Sequence, residues 1–157
     1  MTTLIEKTNE VLNDLIRINN DRIEGYNKAI SESEKEATDL INTFERFIDQ
    51  SREYADDLKA MVLKTGGEVA KGTTASGKVY RAWMDVRHTF SANERRSVLE
   101  LCEFGEDAAQ KAYKSALEET DLSDEARSLI SSQKTELKNA HNLVKNKRDS
   151  ATMAAHH

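Results

Sequence analysis

No proline occurs anywhere in the 157 residues, where average usage of about 5% would place roughly eight. Four of the six glycines, Gly66, Gly67, Gly72 and Gly77, fall in a single stretch. A chain with so few turn-formers outside that stretch cannot supply the many short connections of a sandwich or a barrel. It is free to run in long helices, which proline would break. The sequence is 32% charged and 6% aromatic, a balance that suits solvated helix faces around a lean core. The length fits one domain.

Four segments carry helical periodicity, and each opens on a plausible cap. The first covers about 3–30, with Thr3 and Glu6 spaced as a capping box and a stripe of Leu12, Leu15, Asn19, Ile23, Tyr26 and Ile30. The second covers about 33–65, opening on Ser33 and Glu36, with Leu40, Phe44, Phe47, Ile48, Ser51, Tyr54, Leu58, Met61 and Val62 on its stripe. Gly66 and Gly67 end it. The third covers about 91–119, opening on Ser91 and Glu94, and places Leu99, Cys102, Glu106, Ala109, Tyr113, Ala116 and Leu117 on one face. The fourth covers about 123–149; it begins with the acids of Ser123-Asp124-Glu125 and ends in Lys145, Lys147 and Arg148, each sign at the helix end that favours it. Its stripe is Ala126, Ile130, Gln133, Leu137, Ala140, His141 and Val144.

Helices of roughly 27 residues are about 40 Å long. Four of them, joined by two tight turns and one longer link, predict an all-α four-helix bundle over 1–149 with a frayed tail at 150–157. The long link between the second and third helices allows a crossover, the ferritin-like topology, in place of a simple up-down-up-down order. Ser76 is placed to cap a short extra helix in that link, bearing Val79, Tyr80, Trp83 and Met84. His88 reads as a surface group. His156 and His157 answer to no structural need, and an appended tag accounts for them as well as a native terminus does.

Function classes narrow by composition. With 28 acids against 23 bases the net charge is −5, which opposes attraction to nucleic-acid phosphates. No run of about 18 apolar residues exists to span a membrane, no basic amphipathic face offers a surface anchor, and the N-terminus lacks the pattern of a signal peptide. The single Cys102 fits a reducing compartment and reads as a buried small hydrophobe. A cytoplasmic protein without nucleic-acid or membrane partners is expected.

Sliding the sequence by 87 residues aligns Val11-Leu12 with Val98-Leu99, Tyr26 with Tyr113, and Ala29-Ile30 with Ala116-Leu117. The two hairpins thus read as copies. The same offset pairs polar stripe positions, Asn19 with Glu106 and Tyr54 with His141. A ferritin-like di-metal centre takes one carboxylate from each of two helices and a Glu-x-x-His pair from each of the others, in many such proteins with a tyrosine seven residues after the lone glutamate. Glu106 and Tyr113 have that spacing, but the corresponding first-half pair is Asn19 and Tyr26. The Glu-x-x-His slots read Ser51-Arg52-Glu53-Tyr54 and Lys138-Asn139-Ala140-His141. Only Glu106 and His141 remain of six ligands, too few for a pair of irons. The expected core is therefore a vestigial site: a buried hydrogen-bonded network of Asn19, Tyr26, Ser51, Tyr54, Glu106, Tyr113 and His141, with Glu106 and His141 adjacent so that the imidazolium compensates the acid. A zinc, iron or manganese ion on Glu106 and His141 is the alternative, and a small-ligand cavity among the tyrosines is a third.

LNDLIRINNDRIEGYNKA (12–29), RAWMDV (81–86) and LELCEFGEDAAQKAYKSAL (99–117) resemble a bacterial family of ferritin-like four-helix-bundle proteins. The likeness extends over about 8–148. Its most specific signs are Asn13-Asp14-Leu15-Ile16 with Gly25-Tyr26, Trp83-Met84, and Glu103 to Asp107. The resemblance implies the bundle fold, an incomplete set of di-iron ligands, no assigned activity and an association with stress physiology. Together these readings predict a non-enzymatic protein acting by protein interaction or self-association; a metal-binding oxidase or storage bundle is the competing class.

Overall fold

The structure, a computed structural model, describes residues 3–72 and 94–155. Four helices make it up: α1 (Leu4–Glu32), α2 (Thr38–Lys64), α3 (Glu94–Glu118) and α4 (Asp124–Ala155). The expected short helix at Val79–Met84, the Ser91 cap, His88, His156 and His157 lie outside the described residues. None of the described helices is long and apolar enough to cross a membrane.

Two of the expected caps are in place. Thr3 Oγ1 accepts the Glu6 amide at 3.1 Å, and Ser123 Oγ accepts that of Ala126 at 3.2 Å. Ser33 departs from expectation. It closes α1 instead of opening α2, its amide donating to the Ile30 carbonyl at 3.2 Å and its hydroxyl to that of Ala29 at 2.7 Å. The apolar face of α1 persists to Ala29, so packing carries that helix to the serine, and α2 starts five residues later than expected at Thr38. The fourth helix also overruns its expected end at 149, continuing to Ala155 with Ala151 buried.

Antiparallel directions follow from the pairs that touch. Arg22 reaches Ser51 and Asn9 reaches Thr65, so α2 returns along α1. Tyr26 meets Glu106 while Asn19 meets Tyr113, so α3 also opposes α1. Tyr113 meets Gln133 while Glu103 meets Arg148, so α4 opposes α3; the Gln133 amide meets the Tyr54 carbonyl while Glu125 meets Lys64, so α4 also opposes α2. The order is up, down, down, up. Because α2 and α3 run the same way, the chain must regain the far end of the bundle between Lys64 and Glu94.

Residues 65–72 begin that return along α1, held by asparagines on one face of it. Asn9 Nδ2 donates to Thr65 Oγ1 at 2.9 Å; Asn13 Nδ2 donates to the Glu68 carbonyl at 2.9 Å while its Oδ1 accepts the Ala70 amide at 2.9 Å; Asn20 Nδ2 donates to the Gly72 carbonyl at 2.6 Å. Asn13 and Asn20 thus satisfy backbone groups that have no ladder of their own, and Asn9 holds the Thr65 hydroxyl. Gly66 makes the turn out of α2 with φ of +75°, where a β-carbon would be strained.

The core divides in two. One apolar cluster contains Leu12, Leu15, Leu58, Tyr113 and Ile130, the other Tyr26, Phe44, Ile48, Leu99 and Val144. Buried polar residues lie between them: Asn19 and Arg22 on α1, Ser51 on α2, Glu106 on α3.

Candidate functional site

The polar layer is centred on an ion pair that sequence reasoning did not foresee. Arg22 is 2% exposed and Glu106 0%. Arg22 lies three residues after Asn19 and four before Tyr26, a spacing that returns it to the same inward face. Its Nε donates to Glu106 Oε1 at 2.7 Å; its Nη1 donates to Ser51 Oγ at 2.8 Å and to the Phe47 carbonyl at 3.2 Å. The guanidinium carbon lies 5.3 Å from the Tyr26 ring centre and 5.2 Å from that of Phe47, so aromatic faces also meet the charge. The Tyr26 hydroxyl donates to the same Glu106 oxygen at 2.5 Å.

A second chain of bonds lies beside the first. Asn19 Nδ2 donates to the Leu15 carbonyl and to the Tyr113 hydroxyl, both at 2.9 Å; Tyr113 donates to Gln133 Oε1 at 2.7 Å; Gln133 Nε2 donates to the Tyr54 carbonyl at 3.3 Å. Gln133 belongs to the expected stripe of α4 and is now a working member of the layer.

The two chains are related by the internal repeat. Asn19 and Glu106 are equivalent under the offset of 87, as are Tyr26 and Tyr113. The bond between Asn19 and Tyr113 therefore maps onto that between Glu106 and Tyr26. Each half uses its tyrosine to bond the polar residue of the other half. Between α2 and α4 the equivalence runs one residue shorter, at 86: the buried Leu40, Phe44, Phe47, Ser51, Tyr54 and Leu58 correspond to the buried Ala126, Ile130, Gln133, Leu137, Ala140 and Val144. Tyr54 thus corresponds to Ala140, correcting its expected match with His141. The connections 33–37 and 119–123 are equally long, so the one-residue shift falls at the end of the first helix of each hairpin: α1 runs to Glu32, whereas α3 stops at Glu118, one residue short of its equivalent.

Burial dominates the electrostatics. It pushes the Tyr26 phenol well above its ordinary range, with Glu106 adding to the rise, and it does the same to the Cys102 thiol, again with Glu106 adding. Tyr113 is raised by burial, and Tyr54 by burial and then Glu136. Burial works against the charge on Arg22, yet Glu106 and the neighbouring phenols hold its pKa above the ordinary value. Cys102 is a buried thiol held in its neutral form, as a small core residue should be.

Six of the seven residues expected in the network are buried, and five of them, Asn19, Tyr26, Ser51, Glu106 and Tyr113, bond within the layer through their side chains. Tyr54 contributes its carbonyl. His141 does not join them. Its Nε2 lies 2.6 Å from Asp107 Oδ1 on the outer seam of α3 and α4, and Arg22, not His141, compensates Glu106. Glu106 hydrogen-bonds with Arg22 and Tyr26, and not with His141 as expected. Glu106 Oε2 has no hydrogen-bond partner among the described residues, but a guanidinium beside this carboxylate repels any cation that would bridge it, so these donors do not fit a metal pair. A groove of about 370 Å³ between α1 and α3 has Val11, Leu15 and Ile18 in its wall, and no tyrosine lines it.

Fold and site together define a class: a four-helix bundle with a long crossover, built from two like hairpins around a central ionic layer. Residues 7–119 match the family model described as a domain of unknown function, DUF2383, and the chain belongs to that family. The match takes in Arg22, Tyr26, Ser51, Glu106 and Tyr113 and stops before Gln133 and His141. No curated protein matches the chain.

Proposed function

We propose that the protein is a non-enzymatic, ferritin-like bundle in which an Arg22–Glu106–Tyr26 cluster has taken the place of a di-iron centre, and which acts by contact with protein, a second copy of itself included. The observation that carries this reading is the Arg22 Nε to Glu106 Oε1 bond of 2.7 Å between two fully enclosed groups. A fixed guanidinium supplies at this point the positive charge that a bridging metal would otherwise bring. The equivalent first-half position, Asn19, supplies an amide where a carboxylate ligand would be needed. A bacterial, cytoplasmic setting and an association with stress physiology rest on the lone buried cysteine and on the resemblance, and the second of these is an association rather than a mechanism.

What supports action through surfaces is the pairing of a closed core with exposed apolar side chains at one end of the bundle. Leu4 and Ile5 on the first turn of α1 and Leu63 on the last turn of α2 are each more than half exposed. Anaerobic loading with ferrous iron, followed by elemental analysis, tests the reading. The expected result is no iron pair. A stoichiometry near two irons per chain that Glu106→Ala abolishes would overturn it.

A further inference from the structure

The outer seam between α3 and α4 carries a separate group of ligating side chains. Glu103 and Asp107 stand one helical turn apart on α3, so their carboxylates share one strip of its surface. His141 faces them from α4. One donor atom from each of the three lies within 4.8 Å of the other two. We propose that Glu103, Asp107 and His141 bind a single divalent transition-metal cation, with zinc as the best match to two carboxylates and an imidazole.

Both anchoring and access support the site. The side chains of His141 and Glu103 are 14% and 17% exposed and so are restrained by their surroundings, whereas that of Asp107 is 50% exposed and leaves a path from solvent. His141 Nε2 already points at Asp107 Oδ1 across 2.6 Å, and its Nδ1 lies 3.4 Å from Asn142 Oδ1, which helps to orient the ring from behind. Zinc bonds of about 2.0–2.2 Å set donor separations of roughly 3.3 Å in a tetrahedral shell. Side-chain rotations on two rigid helices bring the donors to that separation, opening the 2.6 Å side between His141 and Asp107 and closing any longer one, and water completes the shell. The site uses neither Glu106 nor the buried layer, so it is independent of the fate of a di-iron centre.

Arg148 supplies the discriminating feature. It is ion-paired with Glu103, and its guanidinium also contacts Asp149 at 2.8 Å. Arg148 therefore competes with a cation for Glu103 and has a second carboxylate to turn to. The experiment is isothermal titration of the full chain with zinc chloride. The chain with His156→Ala and His157→Ala serves as parent, because terminal imidazoles bind zinc on their own account. One zinc per chain is expected. Affinity should fall at least ten-fold in His141→Ala and in Glu103→Gln and rise severalfold in Arg148→Ala; helicity by circular dichroism should match the parent in each. Cobalt in place of zinc should give visible absorption bands that His141→Ala removes. Absence of binding at millimolar zinc, affinity unchanged by His141→Ala and Glu103→Gln, or weaker binding in Arg148→Ala would overturn the assignment.

Discussion

At the scale of single residues, the molecule depends on how two opposite charges are kept out of water. An ion pair this deeply enclosed contributes little net stability, since desolvation offsets most of the attraction, but removing one partner strands the other. Arg22→Met is expected to destabilise the fold by about 3–5 kcal/mol, because Glu106 then keeps only the Tyr26 hydroxyl. Adding Glu106→Leu should recover most of that loss by returning the centre to apolar packing. Urea denaturation of the two variants checks both statements; a single variant that loses less than about 1 kcal/mol would match an exposed pair and contradict the enclosure. Arg22 was hard to read from sequence because arginine on a helix is normally solvated and its long stem hides which way the head points. Glu106 was legible because it interrupts an otherwise apolar stripe. Its partner was misassigned because His141 sits one residue beyond the buried Ala140, a rotation that carries the ring from the core to the outer seam.

At the scale of elements, periodicity made all four helices legible, and the inward face of α4 but for His141; on α2 the stripe omitted the buried Thr43 and Ala55, and on α3 the buried Val98 and Leu101. Boundaries were less legible. Ser33 satisfies the pattern of an N-cap as well as it serves a C-terminal turn, and only the packing of Ala29 decides between them. The contacts of the α1 asparagines are not legible because Asn9, Asn13 and Asn20 look like ordinary solvated helix surface; their partners, the Thr65 hydroxyl and backbone groups of Glu68, Ala70 and Gly72, lie more than fifty residues away. The turn out of α2 depends on a left-handed residue. Gly66→Ala should destabilise by about 1 kcal/mol through its positive φ alone, since nothing lies within 4 Å of the added methyl. Thermal melting checks it, and an unchanged midpoint would mean that the turn relaxes out of the left-handed region.

At the scale of the whole molecule, two hairpins meet through reciprocal tyrosine bonds in the middle and through ion pairs at the ends. At the end where α2 and α3 begin, Asp39 accepts from Arg95 at 2.7 Å, with Lys147 at 3.8 Å. The Arg95 hydrogen bond holds the Asp39 carboxyl down at about 2, below its ordinary 3.8. A depressed folded value means that the pair stabilises fully above pH of about 4 and that the contribution fades as pH falls toward 2. Solvent limits that contribution to about 0.5 kcal/mol. An NMR titration should place the Asp39 midpoint near 2, and a midpoint near the ordinary value would show that the pair does not persist in solution. The centre of the bundle decides what the molecule is, and diffraction from crystals grown with excess ferrous iron reads that centre in place. Anomalous differences at the iron edge should show no peak between α1 and α3, with the Arg22 guanidinium resting on Glu106; two peaks a few ångströms apart, with Arg22 swung away, would contradict it.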